Sequence, residues 1–568
     1  MPGTDVLLRA ARPEEAAALS GLMLRSKAHW GYDDAFLKSC VPELTLLAGE
    51  VTRRRIVVAE RRGEVLGLAS LEGEAPVVRL GLLFVEPRAV RQGVGGALYR
   101  DALARARRLG AGRLLVEADP HAVPFYTAVG ARPVPGAPRG LPCFEVELAG
   151  TPAWVRAWTG GRRAVHLGNV AEYNRQFADP TLDEAQEPAH HYSCLAAFYS
   201  PHPAALVLPL TVPEGWLATV SRQLGWGEVE LYDGLAEGTS GRGGVRSGLA
   251  ARPALAARLR ETGLPMVSWG ETGAAALRYE SKSAANALFR RLTETGRHPG
   301  IRVPEQTYAA ARWRAARLLR ARARAGETAV LKTEHGVGGS GTAVVAPGAA
   351  RAVLRRLPRG PLLVEEYVEG VPEGGDLTYD GLVDATGRVH DVGAAVMEVA
   401  GTAYRGATVG PGVVPAVLEE AALAFGHAVG RELAADGYRG WFDVDFVADR
   451  AGRLAPTETN LRLTGPSVAF MVGARLDELR GAGHLVRIVD RVPLGARLPD
   501  AGLAEHVAAL TAGCAELGVL LLPAVPTAAF APSPYLGVLL ASHSRPSLDA
   551  ADALVRRASS ALATMFTG

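Results

Sequence analysis

The residues best suited to chemistry lie between positions 440 and 462. In Gly440-Trp441-Phe442-Asp443-Val444-Asp445-Phe446-Val447-Ala448-Asp449, Phe442, Val444, Phe446 and Ala448 alternate with Asp443, Asp445, Val447 and Asp449. That is the period-two pattern of a half-buried strand. A turn over 449–453 follows, and a second strand carries Glu458, Asn460 and Arg462 at alternate positions, hence on one face. Pairing as a hairpin brings Asp445 opposite Glu458 and Asn460. Two carboxylates and a carboxamide make an all-oxygen site for a hard cation such as Mg²⁺. Arg462 beside them suits an anionic substrate or a phosphoryl oxygen. A solvated strand face is the plainer reading of any one acid here; the joint spacing argues against it.

Two glycine-rich stretches could bind anions. Thr328-Ala329-Val330-Leu331-Lys332-Thr333-Glu334 runs into His335-Gly336-Val337-Gly338-Gly339-Ser340-Gly341, and then Thr342-Ala343-Val344-Val345. A loop of this kind between two strands is a hairpin lid whose amides wrap phosphates. Lys332 reaches α- or β-phosphate oxygens as a point charge. Earlier, a strand over 79–87 precedes Val90-Arg91-Gln92-Gly93-Val94-Gly95-Gly96-Ala97-Leu98, which opens a helix to about Leu109. Strand, glycine turn and helix N-terminus form an anion cradle.

At 568 residues the chain has room for two to four domains. A net charge of +3 is small for this length, which implies neither a nucleic-acid nor a membrane partner. Cys40, Cys143, Cys194 and Cys514 show no Cys-x-x-Cys spacing, arguing against a disulfide framework or a zinc site and fitting a cytoplasmic location. No signal peptide and no apolar run long enough for a bilayer are read.

The first 150 residues read as a strand at 6–11, a helix opened by Arg12-Pro13-Glu14-Glu15, a hairpin at 56–60 and 65–69, the cradle, a strand at 113–118, and a short helix containing Phe125 and Tyr126. Pro and Gly near 149–152 and 159–163 flank a Trp-containing segment and mark a boundary. Strands at 164–169, 204–210, 228–232 and 265–269, with a loop at 238–244, then suggest a small α/β domain. Ser281 caps a helix starting near Lys282, and an Arg-rich helix spans 309–324 with a solvated charged face. A strand at 518–522 and a helix from Ser547 close the chain, with no catalytic signature after 480.

Order and motifs in the first part resemble the GNAT N-acyltransferases. The resemblance implies an acetyl-CoA pyrophosphate loop of Arg91, Gln92, Gly93, Val94, Gly95 and Gly96, with Tyr126 as the acid that protonates the departing thiolate. Val90 replaces the usual Gln or Arg and Ala131 the usual aromatic, and the backbone cradle survives both changes. No general base is assigned; Glu86 and Glu117 stand at strand ends. The stretch 160–278 resembles a pre-ATP-grasp domain.

The stretch 280–475 resembles the ATP-grasp superfamily. The resemblance implies ATP and Mg²⁺, with Lys282 and Lys332 as nucleotide lysines and Gly338, Gly339, Ser340 and Gly341 as the lid. It implies adenine contacts at the backbone near Glu366 and Val368, and an acid, Glu365 or Glu369, for adenine N6 or ribose. Asp445, Glu458 and Asn460 match the metal ligands and Arg462 the transition-state arginine. The strand opened by Asp376-Leu377-Thr378-Tyr379-Asp380-Gly381 faces substrate.

The expected architecture is therefore mixed α/β: a GNAT domain over 1–150, a pre-ATP-grasp domain over 160–278, an ATP-grasp core over 279–478 and a supporting segment over 479–568. The expected function joins acetyl-CoA-dependent N-acetylation to ATP-dependent amide formation through an acyl phosphate. The substrates expected are amino-acid or peptide-like small molecules, in specialised-metabolite biosynthesis. A ligase regulated by a degenerate, acyl-CoA-sensing GNAT domain is the alternative, and a non-ligase ATP-grasp enzyme is another. Oligomeric state stays open, a homodimer included.

Overall fold

A computed structural model describes residues 6–134, 140–148, 150–177, 186–236, 243–271, 278, 280–357, 360–372 and 374–565. Most of the expected loop at 238–244, and Tyr279, lie outside the described residues. The chain is mixed α/β and forms two compact units, Met1–Thr151 with Arg475–Gly483, and Pro152–Ala474 with His484–Gly568.

The smaller unit holds two sheets. Leu7–Ala10, Val57–Arg61, Glu64–Ala69 and Leu83–Val85 form one in that order, and Glu72–Glu74, Val77–Leu80, Arg113–Glu117, Cys143–Glu147 and Arg132–Val134 form the other. The single strand expected over 79–87 is thus two strands in different sheets. Val77–Leu80 runs parallel to Arg113–Glu117, whereas Leu83–Val85 pairs antiparallel with Glu64–Ala69. Gly81 and Leu82 join the two, and the Glu72 carboxylate packs close over Gly81. The helix Val94–Arg108 packs Val94, Leu98, Tyr99, Ala102 and Leu103 into the core with Leu114, Val116 and Phe144.

In the larger unit, Glu230–Tyr232, Pro203–Val207, Ala164–Leu167 and Met266–Ser268, at the four strand positions read from the sequence, form a parallel sheet. Gln306–Ala309, Leu362–Glu366, Ala329–Lys332 and Thr342–Val345 form an antiparallel sheet. The Arg-rich helix therefore starts at Arg312 rather than 309, since Thr307 and Tyr308 pair with Val364 and Leu363. It buries Ala315 and Leu319 and leaves its charged face to solvent.

The third sheet is antiparallel and eight-stranded: Leu454–Asn460, Gly440–Ala448, Asp376–Val383, Val389–Ala400, Ala403–Val409, Leu485–Pro493, Tyr535–Ser542 and Leu520–Val525. On one face Phe442, Val444, Phe446 and Tyr379 meet Phe425, Val429 and Leu433 of the helix Ala416–Ala435. Each such buried aromatic or aliphatic side chain stabilises by roughly 1.5–3 kcal/mol. That burial fixes the register, because a one-residue slip would turn the acids of the same strand into the core. Trp154 and Trp158, in the segment read as a domain boundary, set their rings edge-on against Trp441 at 5.7 and 5.8 Å.

Candidate active site

The hairpin forms and Asp445 stands opposite Glu458 as expected, but Asn460 stands opposite Asp443 rather than Asp445. The neighbouring strand adds Asp380 opposite Asp443 and Thr378 opposite Asp445. Asn460 Nδ2 donates to Asp443 at 2.7 Å and to Asp445 at 3.4 Å, and Arg462 Nη1 donates to Asn460 Oδ1 at 2.7 Å. Trp441 Nε1 donates to Asp380 Oδ1 at 2.8 Å, leaving Oδ2 buried without a partner.

This crowding shows in the acids' proton affinities. Burial, with the charge of Asp445 adding to it, lifts Asp380 to about 8. Burial and then Asp380 push Asp443 well up, and burial, Asp443 and Glu458 do the same to Asp445. Glu458 moves the other way: burial would raise it, but the ammonium groups of Lys282 and Lys332 outweigh that and lower it.

Lys282, first residue of the helix Lys282–Thr293 and 4% exposed, pairs with Glu458 at 2.8 Å. Its position is fixed by Ser281, which caps the helix by accepting from Ala284 N, and by Glu334, which accepts from Ser283 N and from the hydroxyls of Ser281 and Ser283. Lys332, 5% exposed, pairs with Glu365 at 2.7 Å and donates to the Thr457 carbonyl at 3.2 Å. Glu365 also accepts from Gln306 Nε2. Glu365 is thus engaged with Lys332, and Glu366 is engaged with Arg302. Glu369 pairs with Arg450 at 2.6 Å on the exposed rim.

Lys332, Gly338, Gly339, Glu365, Glu366, Val368, Asp445, Glu458, Asn460 and Arg462 all line one cleft of about 550 Å³. The glycine loop roofs it. Gly339 has φ +87°, and a Cβ there would stand 1.8 Å from the Thr402 carbonyl oxygen, so the loop closes on the turn 400–403 only with glycine at that position. Ser340 Oγ accepts from Val337 N within the loop.

Among the described residues no three His, Cys, Asp or Glu side chains stand in ligand geometry; Lys282 holds Glu458, and Asn460 turns its NH₂ to the aspartates. The donor set still fits a hard divalent cation: it is all oxygen, its aspartates repel one another, and Asp380 Oδ2 is orphaned. Asp380 and Asp443, outside the metal set read from the sequence, stand beside it. Asp443 carried a signal, since it precedes Asp445 by two and shares its face.

In the smaller unit, Gly93 caps the helix Val94–Arg108 with φ +82°, and Arg91 is also left-handed at +63°. Val94, Gly95 and Gly96 are therefore the first helical turn, whose N–H groups have no intrahelical acceptors. Gln92 bonds to Arg61 and to the Arg88 carbonyl. Tyr126 is 5% exposed, with its ring against Tyr99, Phe125 and Phe144, and burial raises its pKa. Glu86 pairs with Arg25 and Glu117 with Arg79. Asp119, unremarked in the sequence, accepts from Lys27 at 2.7 Å, Tyr32 at 2.9 Å and His121 N at 2.9 Å.

Residues 26–139 match the family model described as an acetyltransferase (GNAT) domain. No curated protein matches the chain. Among solved structures, PaiA N-acetyltransferase from Thermoplasma acidophilum, in complex with coenzyme A, is 16% identical over 25% of this chain and 99% of its own, with a TM-score of 0.24. N5-carboxyaminoimidazole ribonucleotide synthetase from Thermus thermophilus is 19% identical over 70% of this chain and 98% of its own, with a TM-score of 0.39. The biotin carboxylase domain of the Hydrogenobacter thermophilus 2-oxoglutarate carboxylase is 12% identical over 68% and 88%, also with a TM-score of 0.39. The chain carries a GNAT acetyltransferase domain at residues 26–139.

Proposed function

We propose that the larger unit is an ATP-grasp carboxylate–amine ligase and that the GNAT domain acetylates an amine from acetyl-CoA. The observation that carries the ligase reading is the gathering of Lys282, Lys332, Asp443, Asp445, Glu458, Asn460 and Arg462 in and around one cleft under a glycine lid.

In this reading a substrate carboxylate oxygen attacks the γ-phosphorus of ATP, the bond to the β–γ bridging oxygen breaks and ADP leaves. The amine nitrogen of a second substrate then attacks the acyl carbon, phosphate departs, and the amine loses a proton. Asp445, Glu458 and Asn460, with Asp443 beside them, would hold Mg²⁺, which supplies charge neutralisation to the phosphates. Lys332 places positive charge on phosphate oxygens, and Glu365 keeps its ammonium fixed in the cleft wall. Arg462, anchored through Asn460, meets the transferring phosphoryl or acyl-phosphate oxygens. The lid over 336–341 excludes water from the acyl phosphate. The substrates are amino-acid or peptide-like, and the reaction belongs to small-molecule biosynthesis in the cytoplasm.

In the GNAT domain the N–H groups of Val94, Gly95 and Gly96 would take the acetyl-CoA pyrophosphate. The depth of Tyr126 favours a second reading, in which this domain binds acyl-CoA and regulates the ligase without transferring the acetyl group.

The test is ADP release with Mg·ATP and amino acids singly and in pairs, with and without acetyl-CoA, products being identified by mass spectrometry. A condensed product absent from Lys332→Met and Asp445→Asn is the expected result. ATP turnover that is identical in the variants, or that never yields an amide, overturns the ligase reading.

A further inference from the structure

Five cleft-lining residues carry buried polar atoms on one wall: Trp269 Nε1, Tyr404 OH, Arg462 Nε and Asp490 Oδ1 have no hydrogen-bond partner, and the Thr464 hydroxyl acts on Asp443. Trp269 and Arg462 are 4% and 6% exposed. Buried polar groups in native proteins are nearly always hydrogen-bonded, so orphans gathered on one wall point to a ligand that completes them.

The five come from distant parts of the larger unit. Trp269 follows the strand Met266–Ser268 of the parallel sheet, Tyr404 lies on Ala403–Val409, Arg462 and Thr464 follow the acidic hairpin, and Asp490 lies on Leu485–Pro493. They divide chemically. Trp269 Nε1 and Arg462 Nε can only donate, Tyr404 and Thr464 can do either, and Asp490 is the acid. The Tyr192 hydroxyl faces the Asp490 carboxylate, Tyr404 and Tyr535 stand near, and Arg405 and Arg491 act on it through charge. The Arg491 guanidinium itself lies over the Tyr535 ring at 4.2 Å. Burial lifts the Asp490 carboxyl to about 7, against the lowering pull of the Tyr192 hydroxyl, Arg491 and Arg405.

We propose that this wall is an amino-acid subsite: Asp490 takes the ammonium group of a zwitterionic substrate, and Trp269 Nε1 with Arg462 takes its carboxylate. Tyr404 and Thr464 bridge the two ends with their hydroxyls. The proposal rests on the ligase reading for the fate of that carboxylate, and it adds the group that makes an amino acid, rather than any carboxylic acid, the substrate.

The experiment compares alanine with propionate, then larger amino acids with their des-amino analogues, in ADP release and in direct calorimetric binding. It uses the wild type, Asp490→Asn and Trp269→Phe. A site built to hydrogen-bond a polar group rejects the analogue lacking it strongly, so the wild type should favour the amino acid by ~100-fold or more in kcat/KM. Asp490→Asn should lose most of that ratio through KM. Trp269→Phe should weaken both members of each pair together. ADP affinity within about twofold of wild type reports that the variants are folded. Undiminished discrimination in Asp490→Asn, or none in the wild type, overturns the subsite. If no acid supports ADP release while amino acids still bind the wild type and not Asp490→Asn, the subsite stands and the ligase reading falls.

Discussion

Replacing Asp380 with Asn tests whether burial, with the charge of Asp445 adding to it, keeps this carboxyl protonated in the fold. In the unfolded chain this carboxyl ionises near 3.8, whereas in the fold it does so at about 8. A folded-state pKa raised above the unfolded one leaves stability full below 3.8 and removes it as pH rises through 8. At pH 7 the unfolded carboxyl has lost its proton and the folded one keeps it, a gap of about three pH units, which corresponds to ~4 kcal/mol against the fold. Asparagine is neutral in both states. Its carbonyl retains the bond from Trp441 Nε1, and its NH₂ takes the place of Oδ2, which has no partner in the wild type either. Asp380→Asn should therefore be the more stable protein at pH 8, by up to a few kcal/mol, with a melting temperature higher by on the order of 5 °C. The assay is thermal unfolding of both proteins, without nucleotide or divalent cation, from pH 4 to pH 8.5. The difference should shrink steadily on acidification and vanish near pH 4. A variant that melts at or below wild type at pH 8, or an advantage that does not change with pH, refutes the idea that burial, with Asp445 beside it, keeps this carboxyl protonated in the fold.

Lys332→Met should abolish nucleotide binding and cost about 3–5 kcal/mol of stability, since Glu365 is left as a buried unpaired charge; calorimetry should find that Lys332→Met/Glu365→Gln recovers stability without recovering binding. Gly339→Ala forces a Cβ into the Thr402 carbonyl at φ +87°, so the ATP KM should rise ~10-fold or more while the amino-acid KM moves little. His166, wholly buried between the Ala196 carbonyl and Ser200, is pushed down by burial to about 4. Its stabilisation is complete above 6.5 and lost as pH falls toward 4, about 3 kcal/mol in all, and the melting curve of His166→Gln should be flatter across that window. Tyr126→Phe should leave CoA affinity within about twofold and cut acetyl transfer ~10²-fold if the hydroxyl serves as acid; equal transfer rates in a thiol-release assay would remove Tyr126 from that role.

What the sequence made legible was local. Period-two spacing places Asp445, Glu458 and Asn460 on one patch, and a serine before Lys282 marks a helix start that Ser281 does cap. Features that depend on which strands pair were hidden. Asp380 joins the patch because Asp376–Val383 lies beside Gly440–Ala448, separated by some sixty residues of chain. Glu365 looked like a nucleotide-facing acid, and only the pairing of Ala329–Lys332 with Leu362–Glu366 shows it holding Lys332. Asp490 stood in a stretch without a motif, and its meaning comes from a strand that docks on Ala403–Val409. The run 79–87 has the composition of one strand, and the competition between two sheets for it left no trace in spacing.

The order of the eight-stranded sheet also bears on how the protein is made. Leu485–Pro493 is laid down between Ala403–Val409 and Tyr535–Ser542, and Leu520–Val525 closes the far edge. During synthesis, Ala403–Val409 is an open edge until residue 493 has cleared the ribosome, and Leu485–Pro493 is another until residue 542 follows. Until then the nascent chain exposes unpaired strand, the state in which chains associate wrongly. Of the wall residues, Asp490 is placed last, when Leu485–Pro493 docks on Ala403–Val409.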